Sequence, residues 1–91
     1  MAHDPMSDDE LEEIARRVAD ASKGPWESFI EGRDQLGGDS FIRIGGLDDA
    51  EPDMYVTRDL TPAVTTDLDF IAHARQDIPR LLAEVHRLRD R

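Results

Sequence analysis

The last third of the chain constrains the fold most, because its apolar residues follow a helical repeat. Ile78, Leu81, Val85 and Leu88 are spaced three, four and three positions apart. Residues at this spacing lie on one face of a helix and build a packing surface, either for the protein's own core or for a partner helix. Periodicity does not distinguish these two uses, so the direction in which this apolar seam faces stays open at this point.

The same region predicts two consecutive helices with a break between them. Asp77 is a suitable N-cap residue, and Pro79 would then fall in the first turn of the second helix, where its missing N–H costs little. Thr66 or Asp67 is expected to cap the first of the two helices. We therefore expect a helix–helix corner over residues 77–79.

A further helix is predicted near the N-terminus, over residues 7–22. Ser7 is a natural N-cap, and Glu10, three positions later, completes a capping box. Gly24 and Pro25 then stop the helix in the order that helix ends prefer.

Three short runs of β-prone residues lie between these helices, at 26–31, 41–44 and 54–58. The sequence Leu36-Gly37-Gly38-Asp39 supports a hairpin loop between the first two runs. Connections this short favour antiparallel pairing. The expected fold class is α+β, in the order α-β-β-β-α-α, with a three-stranded antiparallel sheet packed on helices.

The composition limits the size of the fold and the class of its partners. A chain of 91 residues holds one domain, expected here over residues 7–91 after a flexible N-terminus at 1–6. The net charge is −10, and it is uneven, because residues 26–59 carry nine acids and three bases whereas residues 60–91 carry five of each. An acidic surface repels nucleic acids and anionic membranes, so neither is expected as a direct partner.

The sequence lacks the patterns of a membrane span, a signal peptide and a metal site, and these absences determine what we expect for compartment and cofactors. No apolar run approaches the roughly 20 residues of a membrane span, and the acidic start of the chain is unlike a signal peptide, so a cytoplasmic protein is expected. The chain has no cysteine, which excludes disulfides and thiolate metal sites. His73 and His86 lack paired-ligand spacing. A solvated acidic turn is favoured over a Ca²⁺ or Mg²⁺ site in the loop that contains Asp48, Asp49, Glu51 and Asp53. No cofactor is expected.

No residue pattern predicts catalysis. A nucleophilic serine needs a histidine base and a carboxylate that orients it. Ser22, Ser28 and Ser40 have no nucleophile elbow or adjacent histidine, and Ser7 is explained as a helix cap. Neither glycine pair is followed by the Lys-Ser/Thr of a phosphate loop. The sequence therefore predicts that the protein is not an enzyme.

Two stretches of the chain resemble known sequences. The motif Gly24-Pro25-Trp26-Glu27 and the run from Asp69 to Leu82, separated by a short β-rich middle, resemble small uncharacterised proteins of actinobacteria and their phages, some of them similar to the phage Ea22-like accessory proteins. The resemblance covers residues 7–89, and its motifs are structural. It implies the same layout and an accessory role, and it carries no catalytic residues.

The function expected from these observations is that of a small, acidic, non-catalytic accessory protein that acts by protein–protein binding. Two alternatives stay open: an acidic nucleic-acid mimic that inhibits a nucleic-acid-binding protein, and a structural homodimer formed through residues 78–89. Trp26 is expected to anchor the core, and would mark an interface if it were exposed beside Phe29 and Tyr55. The candidate interaction residues are Trp26, Phe29, Tyr55, Ile78, Leu81, Val85 and Leu88.

Overall fold

Two helices and two small antiparallel sheets make up the fold of the computed structural model, which describes residues 4–46 and 51–90. Along the chain these are α1 (Asp8–Asp20), β1 (Trp26–Phe29), β2 (Phe41–Ile44), β3 (Glu51–Met54), β4 (Thr57–Arg58), β5 (Thr61–Pro62) and α2 (Thr65–Arg89). The first three strands form one sheet in the order β1-β2-β3, and β4 pairs with β5 in a hairpin. The α+β class and its three-stranded antiparallel sheet are confirmed.

Helix α1 begins where the capping signal predicts. The Ser7 Oγ accepts a hydrogen bond from the Glu10 N–H at 3.1 Å, and the Glu10 Oε1 accepts one from the Ser7 N–H at 3.0 Å. This reciprocal pair satisfies two of the donors that a helix start leaves free. The helix ends at Asp20, with Ala21 as its C-cap, slightly before the predicted end at residue 22.

The core lies between the sheet and the first half of α2. Ile42 and Ile44 alternate with outward-facing residues along β2, so both point at the helix. Their main partners are Leu68 and Ala72, one turn apart on α2. Ile42, Leu68 and Ala72 are each at most 1% exposed. The fold is therefore anchored at one contact between the central strand and the start of the long helix.

The predicted break at residues 77–79 is wrong, because α2 is one continuous helix with Pro79 inside it. Asp77 therefore caps nothing. The helix is held on both sides of the proline: the Gln76 side chain bonds the backbone of Trp26 in β1, and later residues pack on α1. The stabilisation from these contacts exceeds the free-energy cost of the backbone hydrogen bond that Pro79 removes. The predicted cap at Thr66 or Asp67 is also wrong, since the N-cap is Val64, without a side-chain bond.

The third strand lies earlier than predicted. The sequence predicts that residues 54–58 pair with the sheet, but β3 is the acidic segment Glu51–Met54, in which Met54 lies opposite Ile42. Thr57 and Arg58 instead start the hairpin with β5, whose turn places Asp59 at a positive φ of 58°. Pro52 has no N–H to donate to a neighbouring strand. It is tolerated because β3 is an edge strand, with a partner strand on one side only.

Helix α1 runs antiparallel to the second half of α2. Arg89 Nη1 pairs with Asp8 Oδ1 at 3.0 Å at one end, and Arg75 Nε donates to the Ser22 carbonyl oxygen at 2.9 Å at the other. Because α1 packs along the second half of α2, which extends beyond the sheet, and not on the sheet itself, the molecule is elongated. Its radius of gyration is 16.0 Å, whereas a compact domain of this length has about 12 Å.

Replacing Pro79 by alanine tests the continuity of α2. In a continuous helix the new N–H can donate to the carbonyl oxygen of Arg75, so Pro79→Ala should raise the free energy of unfolding by about 1–3 kcal/mol. Chemical denaturation measures this, with Ala83→Gly as a control that should destabilise the same helix by about 1 kcal/mol. A neutral or destabilising Pro79→Ala would instead support a helix start at residue 77.

Candidate functional site

An open apolar groove runs between α1 and α2. One part, of about 340 Å³, is lined by aliphatic and aromatic side chains from both helices together with Arg17 and Arg75. A second part, of about 380 Å³, continues toward Leu82 and Val85 and shares Ile14, Arg17 and Ile78 with the first. We call the two parts together the helical groove. Its lining is Met6, Leu11, Ile14, Val18, Ala21, Trp26, Phe70, Ile71, Ala74, Ile78, Leu81, Leu82 and Val85, with the two arginines.

Three of the four residues of the predicted apolar seam, Ile78, Leu81 and Val85, line this groove, and Leu88 follows them on α2 outside its lining. Leu81 is 62% exposed, Leu88 48% and Ile78 39%, whereas Val85 is partly buried. Phe70, two turns before Ile78 on the same helix, is 77% exposed. The seam therefore contributes little to the core, and it gives α2 an apolar face open to solvent. Contiguous exposed apolar surface of this kind is typical of sites that bind a protein or another ligand.

Trp26 is separated from the other two aromatic candidates. It packs against the core cluster and lines the helical groove, and its Nε1 donates to the Ser22 carbonyl oxygen at 3.2 Å. This is the expected anchor at the junction of helix and sheet. Phe29 and Tyr55 lie on another surface, so the alternative that depends on an exposed Trp26 beside them does not apply.

A second surface contains Phe29 and Tyr55, on the side of the sheet turned away from α2. Phe41 joins them: its ring stacks on that of Phe29 at 5.3 Å between centroids and lies 5.8 Å from that of Tyr55. The Arg43 guanidinium lies 4.3 Å above the Phe29 ring. We call these four residues the aromatic face. Phe41 and Arg43 were missed as site residues, although their alternation with Ile42 and Ile44 places them on one side of β2.

A polar network ties the sheet to α2 and could be mistaken for catalytic machinery. Ser28 Oγ donates to Asp69 Oδ1 at 2.5 Å, and Arg33 makes two bonds to the same carboxylate at 2.9 and 3.0 Å. Arg33 also bonds Asp34. Hydrogen bonds from Arg33 and then Ser28 hold the pKa of Asp69 well below its usual range. A carboxylate so stabilised in its charged form is a poor general base, so the network is structural.

The described residues contain no cluster of three or more His, Asp or Glu side chains that could hold a metal ion. Of the acidic loop, Asp48 and Asp49 lie outside those residues, and Glu51 and Asp53 are exposed in β3. In the same ranges, 4–46 and 51–90, no helix combines the length and the apolar character needed to cross a membrane.

Comparison of the chain with protein-family models, with curated proteins and with solved structures gives no match.

The depressed pKa of Asp69 predicts an acid-dependent loss of stability. A carboxylate whose pKa is lowered in the folded state stabilises that state above its ordinary pKa near 4, and the contribution disappears as the pH falls through the folded value. Asp69→Asn should lower the melting temperature at pH 7, and the difference from wild type should shrink steadily below about pH 4. Thermal unfolding followed by circular dichroism at a series of pH values measures this.

Asp39→Asn is the matched control, because Asp39 is exposed in a loop and its carboxylate makes no hydrogen bond to another described residue. Its melting temperature should follow that of wild type across the series. A pH-independent effect of Asp69→Asn would contradict the ion-pair explanation.

Proposed function

We propose that this is a non-catalytic accessory protein that acts by binding another protein through its aromatic face. The observation that carries the proposal is the cluster of Phe29, Phe41 and Tyr55 with Arg43, on a sheet surface that no described helix covers. Aromatic residues and arginine are the types enriched at the energetic centres of protein interfaces. The resemblance to phage accessory proteins agrees with this role.

The charges around the aromatic face indicate the kind of partner. Glu27 lies directly opposite Arg43 in the β1–β2 pairing, and Asp53 is exposed on the neighbouring strand. The stretch 26–59 that carries the sheet has a net charge of −6, from nine acids and three bases. Complementary potential steers association and selects partners. The partner surface should therefore carry basic residues around an apolar or aromatic contact.

The alternatives have less support. The acidic-mimic hypothesis needs ordered rows of carboxylates, and the acids of α1 are exposed but interrupted by Arg16 and Arg17. It stays a prediction, as does the absence of enzymatic activity. For the latter, the best support is that Ser28 donates to a carboxylate held by Arg33 rather than to a histidine.

A photo-crosslinking amino acid at position 55 tests the proposal in cells that produce the protein. Tyr55 is 58% exposed at the edge of the aromatic face, and Leu60 is 94% exposed in the turn of the β4–β5 hairpin, which forms a separate sheet. We expect the residue at 55 to form an adduct with one protein and the same residue at 60 to form none. Adducts at neither position, or equal adducts at both, would overturn the proposal.

The identified protein can then be used to measure affinity by calorimetry. Arg43→Glu removes the cation over Phe29 and reverses its charge, and loss of an interface hot spot costs about 2 kcal/mol or more, which raises Kd about 30-fold. Arg58→Glu makes the same charge change on the β4–β5 hairpin, and should change Kd by less than about threefold. Equal effects of the two variants would show general electrostatics rather than a contact at the aromatic face.

A further inference from the structure

We propose that a second copy of this chain fills the helical groove, so that α1 and α2 of two copies form a four-helix bundle around a two-fold axis. This goes beyond the proposed function, because it uses the opposite surface of the molecule and a different partner. Three features support this dimer: the placement of apolar side chains around each helix, the exposed area of the chain and the charges beside the groove.

Each helix carries apolar side chains at two angular positions, and those at the second position, Ile14 on α1 and Leu81 on α2, stay partly or largely exposed within one chain. On α1, Leu11 is buried at 4% in the part of the groove that also contains Leu82. Ile14 lies about 60° around the helix from Leu11, at 100° per residue, and lines both parts of the groove. On α2, Leu81 lies about 100° from Leu82 and is 62% exposed.

Two apolar stripes, here about 60° apart on α1 and about 100° apart on α2, suit a helix of a four-helix bundle, which packs against two neighbours. A helix that packs against one neighbour needs a single stripe. The pair α1–α2 therefore has the side-chain pattern of half a bundle. The α1–α2 pair of a second chain has the same pattern and supplies the missing half, because the helical grooves of the two chains would pack against each other.

The exposed area is sufficient for such an interface. The chain exposes 7055 Å², whereas a compact monomer of 10.3 kDa exposes about 5,400 Å². The surplus is thus about 1,700 Å² per chain, and a standard protein interface removes about 800 Å² from each partner. Dimer formation at the groove can bury a full-sized interface and still leave the sheet surface free.

The charges beside the groove are self-complementary. Arg17 lines the groove from α1, while Asp77 is exposed beside Ile78 and Leu81 on α2. Within the described residues, neither side chain forms a salt bridge. The contacts Asp8–Arg89 and Ser22–Arg75 fix the antiparallel alignment, and Arg17 is therefore level with residue 80, close to Asp77 along the axis.

In a two-fold bundle in which α1 of one copy lies beside α2 of the other, Arg17 of each copy reaches Asp77 of the second copy. In this arrangement the stretch 60–91, with five acids and five bases, faces α1 of the second copy, so the excess acids of α1 meet a neutral helix and not another acidic one. The charge complementarity between the two copies favours a second copy of this chain over an unrelated helix as the occupant of the groove.

Sedimentation equilibrium of the full chain tests the proposal. Wild type should have a mass of about 21 kDa at micromolar concentration, twice the 10.3 kDa of one chain. Arg17→Asp and Asp77→Arg should each raise the dissociation constant at least about tenfold, because each places two pairs of like charges across the interface. Arg16→Asp is the matched control: Arg16 is exposed and does not line the groove, so the dimer should persist.

Mixing the two single variants distinguishes a pair between chains from a pair within one chain. In the mixed dimer the two substituted positions face each other with their charges exchanged, which makes one attractive pair. The native Arg17 of the Asp77→Arg chain and the native Asp77 of the Arg17→Asp chain make the other. Equimolar mixing should therefore restore the dimer.

A mixture that stays monomeric, or wild type that stays at about 10 kDa at 200 µM, would overturn the proposal. Leu81→Asp, with its fold checked by circular dichroism, should also give a folded monomer, and a dimer that survives this change would place the interface elsewhere. Loss of the crosslink at position 55 leaves these masses unchanged, so failure of one proposal does not imply failure of the other.

Discussion

The mismatch in length between the long helix and the short sheet determines most of this structure. A helix of 25 residues, as α2 is, spans about 37 Å, whereas strands of four residues span about 13 Å. The sheet can therefore bury only the first half of α2, at Leu68 and Ala72. The second half extends beyond the sheet, and α1 covers one side of it. The other side keeps its apolar residues in solvent, which produces the helical groove.

The junction between these two halves is the point at which local sequence rules fail. The capping box of Ser7 and Glu10 was predictable because both partners lie within one helical turn. Pro79 was misread because its local signal, an N-cap residue followed by proline, is the same for a helix start as for a proline tolerated inside a helix. What separates the two cases is Gln76, whose side chain bonds both backbone groups of Trp26, fifty residues earlier. No local pattern contains that contact.

The strand and site predictions failed for related reasons. The segment Glu51–Met54 has poor strand propensity, yet Met54 pairs with Ile42, so long-range pairing outweighs propensity on an edge strand. The apolar seam was visible in the sequence, but its repeat is the same for a buried and an exposed face. Arg17 and Asp77 could not be singled out among 21 acids and eleven bases, because their significance depends on the antiparallel alignment of α1 and α2.

The uneven charge of the chain gains a physical explanation from the two surfaces. Self-repulsion in a dimer of two chains, each of net charge −10, would be limited because each neutral stretch 60–91 faces α1 of the second copy, and the acidic sheets would lie outside the bundle. Each sheet would then present its aromatic face to a basic partner, and one dimer would present two such faces. Two linked sites raise the apparent affinity for a partner with repeated binding positions without any new contact. In that arrangement each aromatic face, built on one Arg–Phe stack and three rings, would need less affinity of its own for such a partner.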